Sequence, residues 1–290
     1  MVGLNLKDGL SCSHQRLTRI SRTILAVTFI VFLLSSASQA IAQQATHAPA
    51  SSTPAAAPYT RHEKGVMIDT RVLVKGLPSP SFSELKQANF TLVGTYVDRG
   101  SGSEWKTIAA WIQRAHGAGL RTFIMIGPPQ LTSLSLASQW TKKAASIGTD
   151  VVELDELVSS FHLARAQLRS IIDTGLAVNP NLQFIITEYE YGSQGLTNAF
   201  SWTSDYPTVR IANDDYWTVS YIDFEITLAQ QYGKAPLTWL IFSKGSQDFD
   251  CYIHLDAWMA YCKQKNIDVL FFYVDPARTW QAQWTMVLSF

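Results

Sequence analysis

"DVVELDEL", residues 150–157, decides how the rest of the chain is read. Val151 and Val152 open a β-branched run, and three acids, Glu153, Asp155 and Glu156, then fall within four positions. A solvated strand end would account for them, and so would the floor of an active site. Side chains two apart on a strand share a face. Glu153 and Asp155 therefore point one way and Glu156 the other. The neighbouring strands have to choose between the two readings.

Seven more runs of the same kind surround it: "GVMID" (65–69), "FTLVGTYV" (90–97), "RTFIMIG" (121–127), "QFIITEYE" (183–190), "TVRIAN" (208–213), "LTWLIFS" (237–243) and "DVLFFYV" (268–274). With 150–155 they make eight strands, their centres spaced roughly 25–34 residues apart, the length of one βα unit. Near-continuous apolar strands imply burial on both faces and a parallel sheet. The segments between carry helix signals. Ser81 with Glu84 reads as a capping box. Trp105, Ile108, Ala109, Ile112 and Ala115 form one apolar stripe that stops at Gly117 and Gly119. The stretch 156–180 reads as the longest helix, ending before Pro180, and 278–290 as a closing one. Eight such units predict an α/β fold, a single-domain (β/α)8 TIM barrel over 64–290. The competing fold is a doubly wound open sheet. It usually has fewer strands and often a glycine-rich first turn, and "TRVLVKGLP" after Asp69 is not one.

In such a barrel the functional residues stand at the C-terminal ends of the strands. There the sequence places Asp69; Tyr96 and Asp98; Glu153, Asp155 and Glu156; Glu188 and Glu190; Asn213, Asp214, Asp215, Tyr216 and Trp217; Ser243 and Lys244; and Tyr273 with Asp275. Strands four to six carry seven of the acids. A strand-end acid is commonly the N-cap of the next helix, and Asp275 and Asp98 fit a cap and a turn. If Glu153, Asp155, Glu188 and Glu190 face the lumen, four carboxylates converge and at least one is held protonated, as a general acid requires. The competing reading makes them ordinary caps, or partners of Lys244 and Arg210.

Net charge is near zero, with 23 basic and 23 acidic residues, so nothing steers the chain toward nucleic acid or an anionic membrane. Nine Trp, eleven Tyr and fourteen Phe supply flat faces of the kind that stack on sugars. Carboxylates, aromatics and no cofactor motif fit glycoside hydrolysis, where two carboxyl groups flank the bond, about 5 Å apart for retention and about 6.5–9.5 Å for inversion. The expected catalytic pair is Asp155 with Glu188, and Glu153, Glu190 and Asp215 are close substitutes. Asp69, Tyr96, Asp98, Asp214, Trp217, Lys244 and Tyr273 are expected to bind substrate, with Tyr191 and Trp280 near the rim. Trp105, Trp111, Trp140 and Trp258 read as packing between helices. No Cys/His spacing marks a metal site, and no cofactor is expected; a divalent cation held by the acids of strands four to six is the competing view.

Residues 1–42 read as a secretory signal: Lys7, Arg16, Arg19 and Arg22, then "TILAVTFIVFLLSSA" (23–37), then small residues allowing cleavage after Ala42. A retained anchor is the alternative, although the apolar run is shorter than the ~20 residues of a spanning helix. Residues 43–63 form a linker rich in Ala, Pro, Ser and Thr. A secreted, extracytoplasmic monomer is expected, with no membrane contact after cleavage. Cys251 and Cys262 pair only if Cys251 precedes the helix and folds back. On one continuous helix their Cα atoms would lie about 16 Å apart.

The layout resembles secreted (β/α)8 glycoside hydrolases. Chitinase-like enzymes carry D-x-x-D-x-D-x-E on strand four, and Asp150, Glu153 and Asp155 stand in its first three places. The fourth place, that family's acid, is Leu157, and Glu156 comes one residue early. "IANDDYW" is similar to that family's strand-six Tyr-Asp segment, with the order shuffled. Muramidase and galactosaminidase-like barrels are similar in an early Asp ("MIDTR") and an acidic pair on strand four. The resemblance implies a hydrolase acting on a polysaccharide or glycan. The missing family acid leaves a second reading, a carbohydrate-binding barrel without catalysis. A third is a small-molecule or peptide binder tethered by the linker.

Overall fold

The structure is a computed structural model describing residues 63–190, 194–214, 219–241, 255–273 and 281–290. The expected signal, the linker up to residue 62, Cys251, Tyr191, Asp215, Trp217, Lys244 and Trp280 lie outside the described residues. Eight parallel strands close into a barrel in sequence order: β1 (Lys64–Ile68), β2 (Leu92–Tyr96), β3 (Arg121–Ile126), β4 (Val151–Asp155), β5 (Gln183–Glu188), β6 (Val209–Asn213), β7 (Leu237–Ile241) and β8 (Asp268–Tyr273). Closure is made by β8 on β1, with Lys64 opposite Val269 and Ile68 opposite Tyr273. That pairing excludes the open sheet.

Helices fill the connections: α1 (Thr70–Lys75), α2 (Phe82–Gln87), α3 (Gly102–Gly117), α4 (Leu134–Ser146), α5 (Leu157–Ser160), α6 (Arg165–Val178), α7 (Gly195–Trp202), α8 (Val219–Tyr232), α9 (Leu255–Lys265) and α10 (Gln281–Ser289). Ser81 caps α2 by accepting the Glu84 N–H at 3.0 Å. On α3 the buried stripe is Trp105, Ile108, Trp111, Ile112 and Ala115, with Trp111 packed as expected and Ala109 half-buried. The single helix expected after β4 is two helices, α5 and α6. His162, at φ 49°, turns the chain left-handed between them. The second starts afresh where the Ala164 N–H donates to Gln167 Oε1 at 2.8 Å.

Alternation along each strand splits the core in two. Outward residues such as Val66, Ile68, Val93, Ile124, Leu154, Phe184, Ile186 and Phe271 pack under the helices, with Trp105, Trp111, Trp140 and Trp258. Inward residues fill the lumen: Met67, Leu92, Tyr96, Phe123, Val151, Ile185, Ala212, Leu237, Trp239 and Leu270. Two glycines make room there. A Cβ on Gly94 would stand 2.3 Å from the Phe123 ring, and one on Gly65 would stand 2.4 Å from Leu270 Cδ2. Small beside large is how a narrow barrel fills its centre.

The base of the lumen is closed by charge. Glu63 bridges Arg121 and Arg210, and Arg210 also holds Asp268 at 2.8 Å. The Glu63 N–H returns to Asp268 at 2.7 Å. Asp268, at the N-terminal end of β8, is thereby matched by a cation at the closed end of the barrel. Cys262 is buried on α9. Among the described residues no helix is long and apolar enough to cross a membrane.

Candidate functional site

The phase of each strand decides which acids reach the lumen. On β4, Val151 is a lumen residue, so Glu153 and Asp155 follow it inward. On β5, Ile185 is inward and Phe184 and Ile186 are outward, so Thr187 enters the lumen and Glu188 does not. The condition for four converging carboxylates, that Glu188 share the lumen with Glu153 and Asp155, is not met.

Glu153 is wholly buried. Two donors converge on its Oε1, the Thr187 hydroxyl at 2.5 Å and the Trp239 indole N–H at 2.7 Å. Its Oε2 is buried with no hydrogen-bond partner. Burial raises the pKa to about 7, against the pull of the two hydrogen bonds.

Asp155 stands two residues nearer the mouth and is partly exposed. Burial, then the charges of Glu153, Glu156 and Glu188, push its pKa well above the usual carboxylate range. Gly127, just past β3, lets it sit there. A Cβ on that glycine would lie 2.6 Å from Asp155 Cβ and 2.8 Å from its backbone oxygen. Glu156 turns away with φ 50°, a left-handed conformation uncommon outside glycine. Its backbone N–H bonds to Thr187 O at 2.7 Å, and its carboxylate accepts from Ser160 at 3.1 Å.

Glu188 caps the helix that follows the neighbouring strand. It accepts from Val158 N at 2.6 Å, Ser159 N at 3.1 Å and Ser159 Oγ at 2.7 Å, at the start of α5. Burial still raises it to about 7. Glu190 accepts from Thr197 N at 2.9 Å and Thr197 Oγ1 at 2.8 Å in the first turn of α7. The cap reading of these two acids matches their geometry.

Asp69 is nearly inaccessible and braced on all sides. It caps α1 through the Arg71 N–H at 2.8 Å, pairs with the Arg71 guanidinium and accepts from the Tyr96 hydroxyl at 2.8 Å. Burial alone would raise its pKa, but hydrogen bonds from Arg71 and Tyr96 hold it below the usual range. Burial and the Asp69 charge raise Tyr96 in turn. Asp69 and Tyr96 thus form a strut between β1 and β2 beneath a half-exposed Arg71. Asp98 lies past β2 with its carboxylate 3.5 Å from Arg99, in a turn pinned by Glu104. Asp214 follows β6, partly exposed, two residues beyond the lumen residue Ala212. Tyr273 ends β8, and its side chain lies outside the described residues. The lumen therefore brings together Asp69, Tyr96, Glu153 and Asp155, and leaves Glu188, Glu190 and Asp98 outside.

Trp239 and Thr187 were not singled out from the sequence. The signal was present: Leu237 and Trp239 alternate on one face of β7, and an indole N–H buried on that face needs an acceptor. Among the described residues no group of three or more His, Cys, Asp or Glu is arranged to hold a metal ion.

The buried carboxylates Glu63, Glu153, Glu188 and Asp268 in a closed (β/α)8 barrel are consistent with a catalytic barrel. Solved structures of other such barrels resemble the chain. An endoglucanase Cel5A from Thermotoga maritima aligns at 11% identity and TM-score 0.54, over 77% of this chain and 96% of its own. A GH53 catalytic domain from Ignisphaera aggregans aligns at 14% and 0.50, over 77% and 88%. A 3-dehydroquinate dehydratase from Aquifex aeolicus aligns at 13% and 0.44, over 78% and 97%. Glycoside hydrolases and other enzymes are both represented, and at these identities the likeness is one of fold. No family model and no curated protein matches the sequence.

Proposed function

We propose that the chain is a secreted glycoside hydrolase cleaving a polysaccharide or glycan, with Asp155 as general acid at the barrel mouth. One observation carries the reading. Asp155 is partly exposed in the lumen, above a buried second carboxyl, and it retains its proton far above the usual carboxylate range. A protonated carboxyl facing solvent in a concave site is what donation to a leaving glycosidic oxygen needs. The second carboxylate is drawn from Asp214, which directly follows β6. Two strand spacings are roughly 9–10 Å along the sheet and less across a curved mouth, near the span used for inversion. Tyr96 and Arg71 border the same opening and offer groups for sugar hydroxyls.

The test is reducing-sugar release by residues 43–290 from a broad polysaccharide panel, beside Asp155→Asn, Asp214→Asn and Glu188→Gln. A loss of about a thousandfold or more in Asp155→Asn, with a small change in Glu188→Gln, supports the assignment. Release untouched by Asp155→Asn overturns it. The non-catalytic carbohydrate-binding barrel is favoured by one fact, that both β5 acids are taken up as helix caps. No release from any substrate by the folded protein, with sugar binding retained, would make that reading the better one.

A further inference from the structure

We propose that Glu153 acts through Asp155 as a positioning residue, the two carboxyl groups of β4 behaving as a pair that holds one proton between them. The inference rests on the hydrolytic reading only for its use, and its test does not require activity.

The geometry is that of a stacked pair. Both side chains enter the lumen from one strand, with Cα atoms roughly 6.6 Å apart at the usual rise. The protein also marks the two oxygens of Glu153 differently. Thr187 and Trp239, from strands on either side of β6, both donate to Oε1. Oε1 is thereby fixed as the acceptor. Oε2 is buried with no partner, a place where a carboxylate oxygen is costly and an O–H less so. The proton of Glu153 therefore belongs on Oε2.

Among the described residues the surroundings offer the pair little compensating charge. Glu153, Glu156 and Glu188 act on Asp155, and all three are acids. The lumen cations among the described residues are engaged elsewhere: Arg121 and Arg210 with Glu63 and Asp268 at the base, and Arg71 with Asp69 at β1. Asp214 adds another acid at the mouth. Two carboxyls on one face of one strand, one of them wholly buried, cannot both ionise cheaply. Glu153, held by two donors at Oε1, ionises first, and its charge keeps the remaining proton on Asp155. After Asp155 has given that proton to a leaving group it recovers one from solvent. Glu153 thus sets the pH at which Asp155 can act.

The test is infrared titration of the protonated-carboxyl band in the full chain, in wild type, Asp155→Asn, Glu153→Gln, Glu153→Asp and Trp239→Phe. Expected is a loss of that band through coupled steps in wild type. The Asp155 step should move to lower pH by about one unit or more in Glu153→Gln, and return toward the wild-type position in Glu153→Asp. Trp239→Phe, which removes a donor to Oε1, should move the Glu153 step to higher pH. An Asp155 step that stays put in Glu153→Gln overturns the pairing. If Glu153→Gln does not fold, Trp239→Phe decides, and an unchanged titration there overturns it equally. Coupled titration in a protein that hydrolyses nothing would retain the pair and discard the glycosidase.

Discussion

Trp239 and Glu153, 86 residues apart in the chain, meet through the centre of the barrel, the indole N–H 2.7 Å from the carboxyl oxygen. The bond ties β7 to β4, strands that are not neighbours in the sheet. It also decides which oxygen of Glu153 accepts. Trp239→Phe keeps most of the ring volume and removes the donor. It is expected to cost about 1–3 kcal/mol, the range for leaving a buried polar group short of a partner. Thermal or urea unfolding of the two proteins measures it, and a loss well below 1 kcal/mol would mean the bond is not made in solution.

Stability should fall as pH rises toward neutrality. Glu153 and Glu188 are each raised from 4.5 to about 7 in the folded protein. The folded state then binds more protons than the unfolded one between those values, so these groups contribute fully below pH 4.5 and their contribution is lost through pH 7. The difference is on the order of 3 kcal/mol per group, and Asp155 shifts in the same direction. Urea unfolding at pH 5 and pH 8 is expected to show the larger free energy at pH 5. Glu153→Gln and Glu188→Gln should each flatten the difference.

Gly94→Ala is expected to destabilise by at least 1–3 kcal/mol, the usual range for overpacking a filled core. The added methyl would sit 2.3 Å from the Phe123 ring, which has the lumen wall behind it. Gly76→Ala makes the useful comparison, because no atom lies within 4 Å of that site and only the left-handed backbone, at φ 63°, opposes it. Lumen crowding predicts that Gly94→Ala costs more; equal losses would show that the Phe123 ring moves aside.

The charged base can be tested through Arg210. Its guanidinium meets Glu63 and Asp268, both buried, at 2.8 Å each. Arg210→Ala removes a cation from two buried carboxylates, leaving Glu63 with Arg121 alone, and should cost about 3–5 kcal/mol, the range for breaking a buried pair from one side. Sugar binding or turnover per folded molecule should stay near wild type, because the plug lies at the N-terminal ends of the strands. A selective loss of turnover would show that base and mouth are coupled.

The sequence by itself determined the eight parallel βα units. Eight β-branched or aromatic runs at one spacing, each followed by an amphipathic segment, fit a barrel better than an open sheet, and the observed strands lie within or close to the quoted runs; closure itself is decided by the pairing of β8 with β1. It also determined that Glu153 and Asp155 share a face, since alternation within one strand is local. What it left open was the phase of one strand against another. Glu188 and Glu190 also share a face, but that face is the outer one, because register and barrel curvature turn Ile185 and Thr187 inward. Only the closed barrel places the amides of Val158 and Ser159 over Glu188, or the indole of Trp239 against Glu153. Those contacts join residues 29 to 86 positions apart. No local pattern encodes them, because they exist only once curvature has brought distant strands around a common centre.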